Sequence, residues 1–415
     1  MTHRIAGAGL MLLLLTAMSA GCKRGEAGKA PVVATAAPAV AQTGAPLTEQ
    51  ECQEFGKKVE AAVAGGDAAT MENVFRFGDL CERCISDLNI PANQRRVMVN
   101  GLKQGVSNGL FQQLGEISKN GGTYKFVRAR MEETPPIVVM RVLHPNGGLN
   151  YHLLPTVRFP DGQVASQDID IILTGEPFSQ TLRRMIIGII SEKDRGLLQK
   201  LVGSDKLFTD NMEKIASMVK AVQQGRHQEG LNIFNQLPRE LQEYKFYNIL
   251  GIMAAQGVGD EVYQEMLEAF RRKHRRDATI HLLMIDYHLL KKEYDKALTC
   301  IDSVDKAIGG DEYLSTLRAN LLLTAGRYSE AKVASEKSIA VDPAFENTYW
   351  TRITVALKEE NHKDTLEWLQ KVVIHCNVEL SQEQMKASAD YVEFIKSPEF
   401  QQLLEWIADR KTDPK

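Results

Sequence analysis

The sequence predicts a multi-domain protein in which an α+β domain, with helices followed by a four-stranded antiparallel meander, precedes an all-α solenoid. Two observations predict this order. Between about residues 48 and 120 the apolar residues recur with helical spacing, and after that they alternate with polar residues as in half-buried strands. In the second half of the chain the sequence repeats with a period of about 34 residues, which is typical of stacked helix pairs.

Residues 1–21 have the layout of a secretory signal peptide, with Arg4 before an apolar run and small residues before Cys22. The apolar run is shorter than the roughly 20 residues that span a bilayer. Ser19, Ala20, Gly21 and Cys22 resemble a bacterial lipobox, although Leu is commoner than Ser at its first position. The resemblance implies acylation of Cys22 and cleavage after Gly21, which gives a stable membrane anchor. The alternative is an ordinary signal peptide with an unrelated cysteine at its end.

The next segment, 22–47, is rich in Ala, Pro, Gly and Val, has no aromatic residue, and predicts a disordered tether. Lys23 rather than Asp follows the cysteine, and by analogy with Gram-negative lipoproteins this favours the outer membrane, facing the periplasm or the outside. The chain has a formal net charge of −3 and no long basic block, so a nucleic-acid partner is not predicted.

The α+β domain is expected over 48–205, including trailing helices. Thr48 and Glu51 form a capping box that opens its first helix. Turn signals rich in Gly, Asn, Pro and Asp separate four predicted strands, at 124–131, 137–144, 149–159 and 163–174.

This order of helices and strands resembles the cone-shaped nuclear transport factor two-like fold, and the segment 161–176 resembles the last hairpin of such domains. The resemblance covers about residues 48–190. Because that fold hosts enzymes, binding proteins and inert adaptors, it does not by itself give a function.

One candidate pocket pair follows from the expected register. If Phe159 pairs with Gln163, His152 falls opposite Asp170, and a carboxylate beside a histidine can orient it as a general base. This arrangement would support small-molecule binding or enzymatic activity in the α+β domain. The alternative, which we favour, is that His152 and Asp170 belong to a solvated face.

Cys81 and Cys84 form a C-x-x-C pair, and Cys52 lies on a neighbouring predicted helix. A disulfide from Cys52 to either of them, or buried thiols, is favoured over redox or metal chemistry, because the segment is helical and two ligands do not complete a zinc site. No metal and no cofactor are predicted.

Segments 292–297 and 326–331 lie one 34-residue period apart and carry Tyr and Ala at matching positions. This pattern resembles the tetratricopeptide repeat. The repeats are expected over 206–380 as four or five units of two antiparallel helices, of which 312–345 is the most regular. Two capping helices are expected over 381–411, because the open end of a solenoid exposes apolar surface.

The first helices of such repeats usually form an inner surface that binds a peptide or a partner domain. Here Arg318, Asn320 and Arg352 could clamp a peptide backbone or a carboxylate, or they could be solvated polar positions.

The sequence has no phosphate-binding Gly loop, no G-x-S-x-G motif and no H-E-x-x-H motif, so an enzyme is not predicted. The favoured hypothesis is a membrane-anchored scaffold whose repeats hold a protein partner in the cell envelope. Ligand binding or catalysis in the α+β domain is the alternative.

Overall fold

A computed structural model describes residues 38, 45–88, 90–106, 112–145, 147–193, 203–274, 277 and 280–412. The predicted signal peptide, Cys22 and most of the predicted tether lie outside the described residues. The structure confirms the predicted fold class: helices and a small antiparallel sheet come first, and a long all-helical region follows. The chain divides into two compact units, Met1–Tyr287 and His288–Lys415, so the predicted boundary near residue 205 falls inside the first unit.

The first helix begins with the predicted capping box. The Thr48 hydroxyl accepts a hydrogen bond from the backbone N–H of Glu51, and the Glu51 carboxylate accepts one from the backbone N–H of Thr48. The helix ends at Gly66, whose φ of 65° lies in the left-handed region. The helices before the sheet are α1 (Glu49–Gly65), α2 (Ala68–Phe75), α3 (Phe77–Cys84), α4 (Ala92–Val106) and α5 (Gln112–Lys119).

The sheet is antiparallel with strand order β1-β2-β3-β5-β6, and β4 also pairs with β3. Its strands are β1 (Thr123–Arg130), β2 (Ile137–Leu143), β3 (Leu149–Arg158), β4 (Val164–Ser166), β5 (Asp170–Ile171) and β6 (Glu176–Pro177). The first three match the predicted strands closely, but the prediction of one continuous fourth strand is wrong. The chain leaves the ladder after Ser166, where the Ser166 hydroxyl donates to the Asp168 carbonyl and the Asp168 carboxylate accepts from the backbone N–H of Ile169. Such local side-chain bonds compete with strand pairing.

One face of the sheet packs against α1. Phe126 lies so close to Gly56 that a Cβ atom added to this glycine would be 2.2 Å from the Phe126 ring. Phe126, Met140 and His152 are register partners across β1, β2 and β3, so their side chains share this face. Met140 and His152 are buried, so this part of the face lies in the interior of the unit.

Helices continue the first unit after the sheet: α6 (Phe178–Lys193), α7 (Gly203–Asp210), α8 (Met212–Gln223), α9 (His227–Asn235), α10 (Arg239–Glu243), α11 (Lys245–Val258) and α12 (Asp260–His274). A buried ion pair connects α6 to the sheet, because the Arg184 guanidinium donates to the Glu176 carboxylate. The same guanidinium lies 5.1 Å from the centroid of the Phe246 ring on α11. These contacts explain why the α+β part and the following helices form one unit.

Helix α13 (His281–Leu290) contains the boundary between the units. The second unit continues with α14 (Tyr294–Ile308), α15 (Glu312–Thr324), α16 (Tyr328–Val341), α17 (Glu346–Lys358), α18 (His362–Cys376), α19 (Gln382–Ala387) and α20 (Pro398–Thr412). Two short 3₁₀ helices, Ala389–Tyr391 and Phe394–Lys396, lie between α19 and α20.

The turns of successive helix pairs repeat with the predicted period. Lys292, Gly326 and Glu360 each stand between the two helices of a pair and are separated from one another by one period, and their φ angles are all positive, at 57°, 73° and 53° respectively. The predicted C-terminal cap is also present, because Phe394, Phe400 and Leu403 are buried in one cluster with residues of α18. None of the described helices is long and apolar enough to cross a membrane.

Candidate functional site

His152 and Tyr124 form a buried pair on the face of the sheet that packs against α1. The Tyr124 hydroxyl lies 3.1 Å from His152 Nδ1, and the two ring centroids are 5.5 Å apart. His152 is 4% exposed and Tyr124 is 4% exposed, so the hydrogen bond is shielded from water. Among the described residues, no carboxylate hydrogen-bonds to this imidazole.

The predicted pairing of His152 with Asp170 is not formed. Phe159 does bond to Gln163, with the Phe159 N–H donating over 2.9 Å to the Gln163 carbonyl. The break after Ser166 then shifts the register by one residue, so Ile171 lies opposite His152 and Asp170 lies opposite Leu153. A one-residue shift moves a side chain to the other face of the sheet. The general-base hypothesis for His152 is therefore wrong in its geometry. The favoured expectation of a solvated face is also wrong for His152, because this side chain is buried.

Asp170 is half-buried on the face of the sheet opposite His152. Burial, and secondarily the charge of Asp168, raises the pKa of the Asp170 carboxyl to about 6. The Asp168 carboxylate is buried and accepts backbone hydrogen bonds from Ile169 and Ser179, at 2.8 and 3.0 Å. Asp168 is therefore a structural acceptor that connects the segment between β4 and β5 to the start of α6, and not a catalytic base.

Three nitrogen atoms of the buried polar side chains near His152 have no hydrogen-bond partner among the described residues: His144 Nε2, Asn150 Nδ2 and His152 Nε2. Burial lowers the pKa of His144 to about 4, and burial with the nearby His144 lowers the pKa of His152 to about 3. Both imidazoles are thus neutral near pH 7. We call Tyr124, His144, Asn150 and His152 the buried polar row.

Sequence reasoning found only His152 of this row. Asn150 and His152 do alternate along β3 with Tyr151 and Leu153, which is the pattern of one shared face. Tyr124 lies on β1 and is separated from His152 on β3 by β2. Its approach to His152 depends on the registers of β1 with β2 and of β2 with β3, which sequence periodicity alone does not set.

The three described cysteines of the first unit are free thiols. Cys52, Cys81 and Cys84 are buried and form no disulfide. Burial raises the pKa of Cys52 to about 11 and of Cys81 to about 12, and it raises the pKa of Cys84 as well. The structure contains the buried-thiol alternative rather than the disulfide, and thiols with such pKa values are poor nucleophiles at neutral pH.

The predicted groove residues make contacts between helices of the second unit. Arg318 on α15 is ion-paired with Asp302 on α14, and the Asn320 side-chain carbonyl accepts a hydrogen bond from the Thr351 hydroxyl on α17. Arg318 and Asn320 are partly exposed.

Arg352 is fully buried, with Nε 2.9 Å from Glu336 and Nη2 2.5 Å from Asp364. Both interpretations of Arg352, a peptide clamp and a solvated polar position, are wrong, because its guanidinium is buried and paired with carboxylates of two neighbouring helices.

A different set of first-helix residues stays partly accessible. On α17, Trp350, Thr354 and Leu357 are half-buried and lie on one helix face, since their spacing is four and three residues. On α15, Asn320 and Leu323 are half-buried and stand one repeat period before Thr354 and Leu357. We call these five residues the first-helix stripe.

In the part of the chain that the structure describes, no group of three or more His, Cys, Asp or Glu residues could hold a metal ion. The chain was compared with known protein families and with curated proteins, and neither comparison found a match.

Proposed function

We propose that this protein is a lipid-anchored adaptor of the bacterial cell envelope that holds a partner protein on the first-helix stripe. The observation that carries the proposal is the recurrence of half-buried residues at equivalent positions of α15 and α17, one repeat period apart. Equivalent positions on stacked helices present regularly spaced contacts, and repeat proteins use such surfaces for binding.

The chemistry of the stripe favours an extended segment with apolar side chains. Leu323, Trp350 and Leu357 supply apolar contact area. Because the Asn320 side-chain carbonyl accepts from Thr351 and the Thr354 hydroxyl donates to the Trp350 carbonyl, the groups left for a partner are the Asn320 NH₂ and the lone pairs of the Thr354 hydroxyl. Tryptophan is over-represented among the residues that dominate binding energy at interfaces. The neighbouring Lys358 is paired with Asp390 at 2.7 Å, so this lysine is not a free cation for an acidic partner.

The support for the anchor comes from the sequence. Cys22 follows a signal-peptide pattern and precedes a long segment rich in Ala and Pro, which would hold the folded units away from the lipid surface. With an outer-membrane anchor, the partner would be a protein of the cell envelope.

Affinity capture from detergent-solubilised envelopes tests the adaptor role. The full-length protein is compared with two variants. Thr354→Arg places bulk and charge on the first-helix stripe, and Trp350→Ala removes the largest side chain of the stripe. We expect the affinity of each variant for the partner to fall by at least about tenfold, which corresponds to about 1.4 kcal/mol of binding free energy.

Val333→Arg is the matched control, because Val333 is 67% exposed on the second helix α16. Circular dichroism shows whether each variant keeps its helices. Retention of the same partner by both folded stripe variants would contradict the proposal.

A further inference from the structure

The hydrogen bonds of the buried polar row show which of its groups accept and which donate. The Asn150 side-chain carbonyl accepts from the backbone N–H groups of Tyr151, at 2.8 Å, and Leu173, at 3.0 Å. These two bonds fix the orientation of the amide, so its NH₂ group is the one left without a partner among the described residues.

The tautomer of His152 follows from the same reasoning. If the Tyr124 hydroxyl donates to Nδ1, the phenol is satisfied and Nε2 carries the proton. If Nδ1 donated instead, the phenol proton and Nε2 would both lack a described partner. Because buried polar groups are normally hydrogen-bonded, the first arrangement is favoured, and Nε2–H is a second donor without a described partner.

The surroundings of these donors are apolar. Met140, Val142 and Leu154 share the face of the sheet with the row, and all three are fully buried. A buried donor without a partner costs about 1–3 kcal/mol. Two such donors stand at neighbouring same-face positions of β3, so a ligand that accepted from both would stabilise the unit.

We propose that the buried polar row is a binding site for a small uncharged molecule that presents a carbonyl oxygen, such as an amide or an ester with an apolar body. A carbonyl oxygen accepts two hydrogen bonds and donates none, which matches the Nε2–H of His152 and the NH₂ of Asn150. The apolar neighbours favour an uncharged ligand, because a carboxylate would lose its hydration without a cation from these side chains. This inference is independent of the adaptor proposal, which concerns the second unit.

The test uses the full-length protein labelled with ¹⁵N-histidine and acetanilide as the probe. Without the probe, the imidazole spectrum of His152 should show the Nε2–H tautomer at pH 7. With acetanilide, the Nε2 resonance should shift saturably. Propylbenzene, which lacks the carbonyl, should not produce this shift.

Two conservative variants separate binding from folding. His152→Phe removes the donor and should weaken acetanilide binding by about tenfold or more, as expected for the loss of one buried hydrogen bond. Tyr124→Phe keeps the ring but releases Nδ1, and it should lower the population of the Nε2–H tautomer. A wild-type His152 resonance that does not respond to millimolar acetanilide, or that shows the Nδ1–H tautomer, would overturn the proposal. The first of these outcomes would assign the two donors to internal water.

Discussion

Arg352 shows how a single buried charge organises the second unit. Its guanidinium is fully buried, contacts carboxylates on α16 and α18, and lies 5.0 Å from the centroid of the Trp368 ring. Removing one member of a buried ion pair leaves its partners without compensation, which is more costly than losing an exposed pair.

We expect Arg352→Ala to lower the free energy of unfolding of the second unit by about 3 kcal/mol. Arg318→Ala, which breaks the exposed pair with Asp302, should cost less than about 1 kcal/mol. Tryptophan fluorescence during urea unfolding measures this unit selectively, because all three tryptophans, Trp350, Trp368 and Trp406, lie in it. Equal losses for the two variants would show that Arg352 is not a buried anchor.

The buried polar row gives the first unit a characteristic dependence on pH. His144 and His152 have folded pKa values of about 4 and about 3, below the ordinary value of 6.5. As the pH falls, these histidines are protonated in the unfolded chain at a higher pH than in the folded unit. The folded unit therefore has its full stability above pH 6.5 and loses stability as the pH falls toward 4. At pH 5 the loss is about 2 kcal/mol for each histidine.

Hydrogen exchange of the β2 and β3 amides, corrected for intrinsic rates, measures this loss between pH 7.5 and pH 5. Asp170 acts in the opposite direction, since its raised pKa of about 6 adds stability as the pH falls. The difference between wild type and a His144→Phe, His152→Phe double variant isolates the histidines. If the double variant kept the full pH dependence of the wild type, the buried neutral histidines would not be its source.

Among the elements, the turns between paired helices show where the repeat is under strain. Gly326 adopts its positive φ at little cost, but Glu360 and Lys292 adopt nearly the same conformation with a Cβ atom. The repeat therefore imposes a backbone conformation that two of these three turns fill with an unfavourable residue.

Glu360→Gly should stabilise the second unit by about 1 kcal/mol, because it removes the left-handed penalty. Gly326→Ala, the matched control, should destabilise the same unit by a similar amount. Urea unfolding followed by tryptophan fluorescence measures both changes. A lower urea midpoint for Glu360→Gly would mean that the Glu360 side chain stabilises the unit by more than its left-handed backbone conformation destabilises it.

The helix pairs and the first three strands could be predicted from the sequence, because periodicity and turn residues report local structure directly. The fourth strand could not, because the alternation over 163–174 continues through a segment where Ser166 and Asp168 bond to the backbone instead. That one irregularity also explains the error at the site. The sequence identifies His152, but the partner of this histidine is Tyr124 rather than Asp170 because the register moves by one residue.

For the molecule as a whole, the proposed lipid anchor on Cys22 would decide where the two folded units work. We expect Cys22→Ser to abolish incorporation of labelled palmitate and to move the protein from the membrane fraction to the soluble fraction. Cys376→Ser is the control, because this partly accessible free thiol lies at the end of α18, far along the chain from the lipobox. Membrane association that survives Cys22→Ser would require an anchor other than the lipid.

The adaptor proposal is tested most directly by crosslinking in living cells. A photoreactive residue replaces Thr354 on the first-helix stripe in one strain and Val333 on the second helix α16 in another. The proposal predicts a discrete crosslinked envelope protein from position 354 and none from position 333. The same product from both positions, or a product from position 333 alone, would contradict binding on the first-helix stripe.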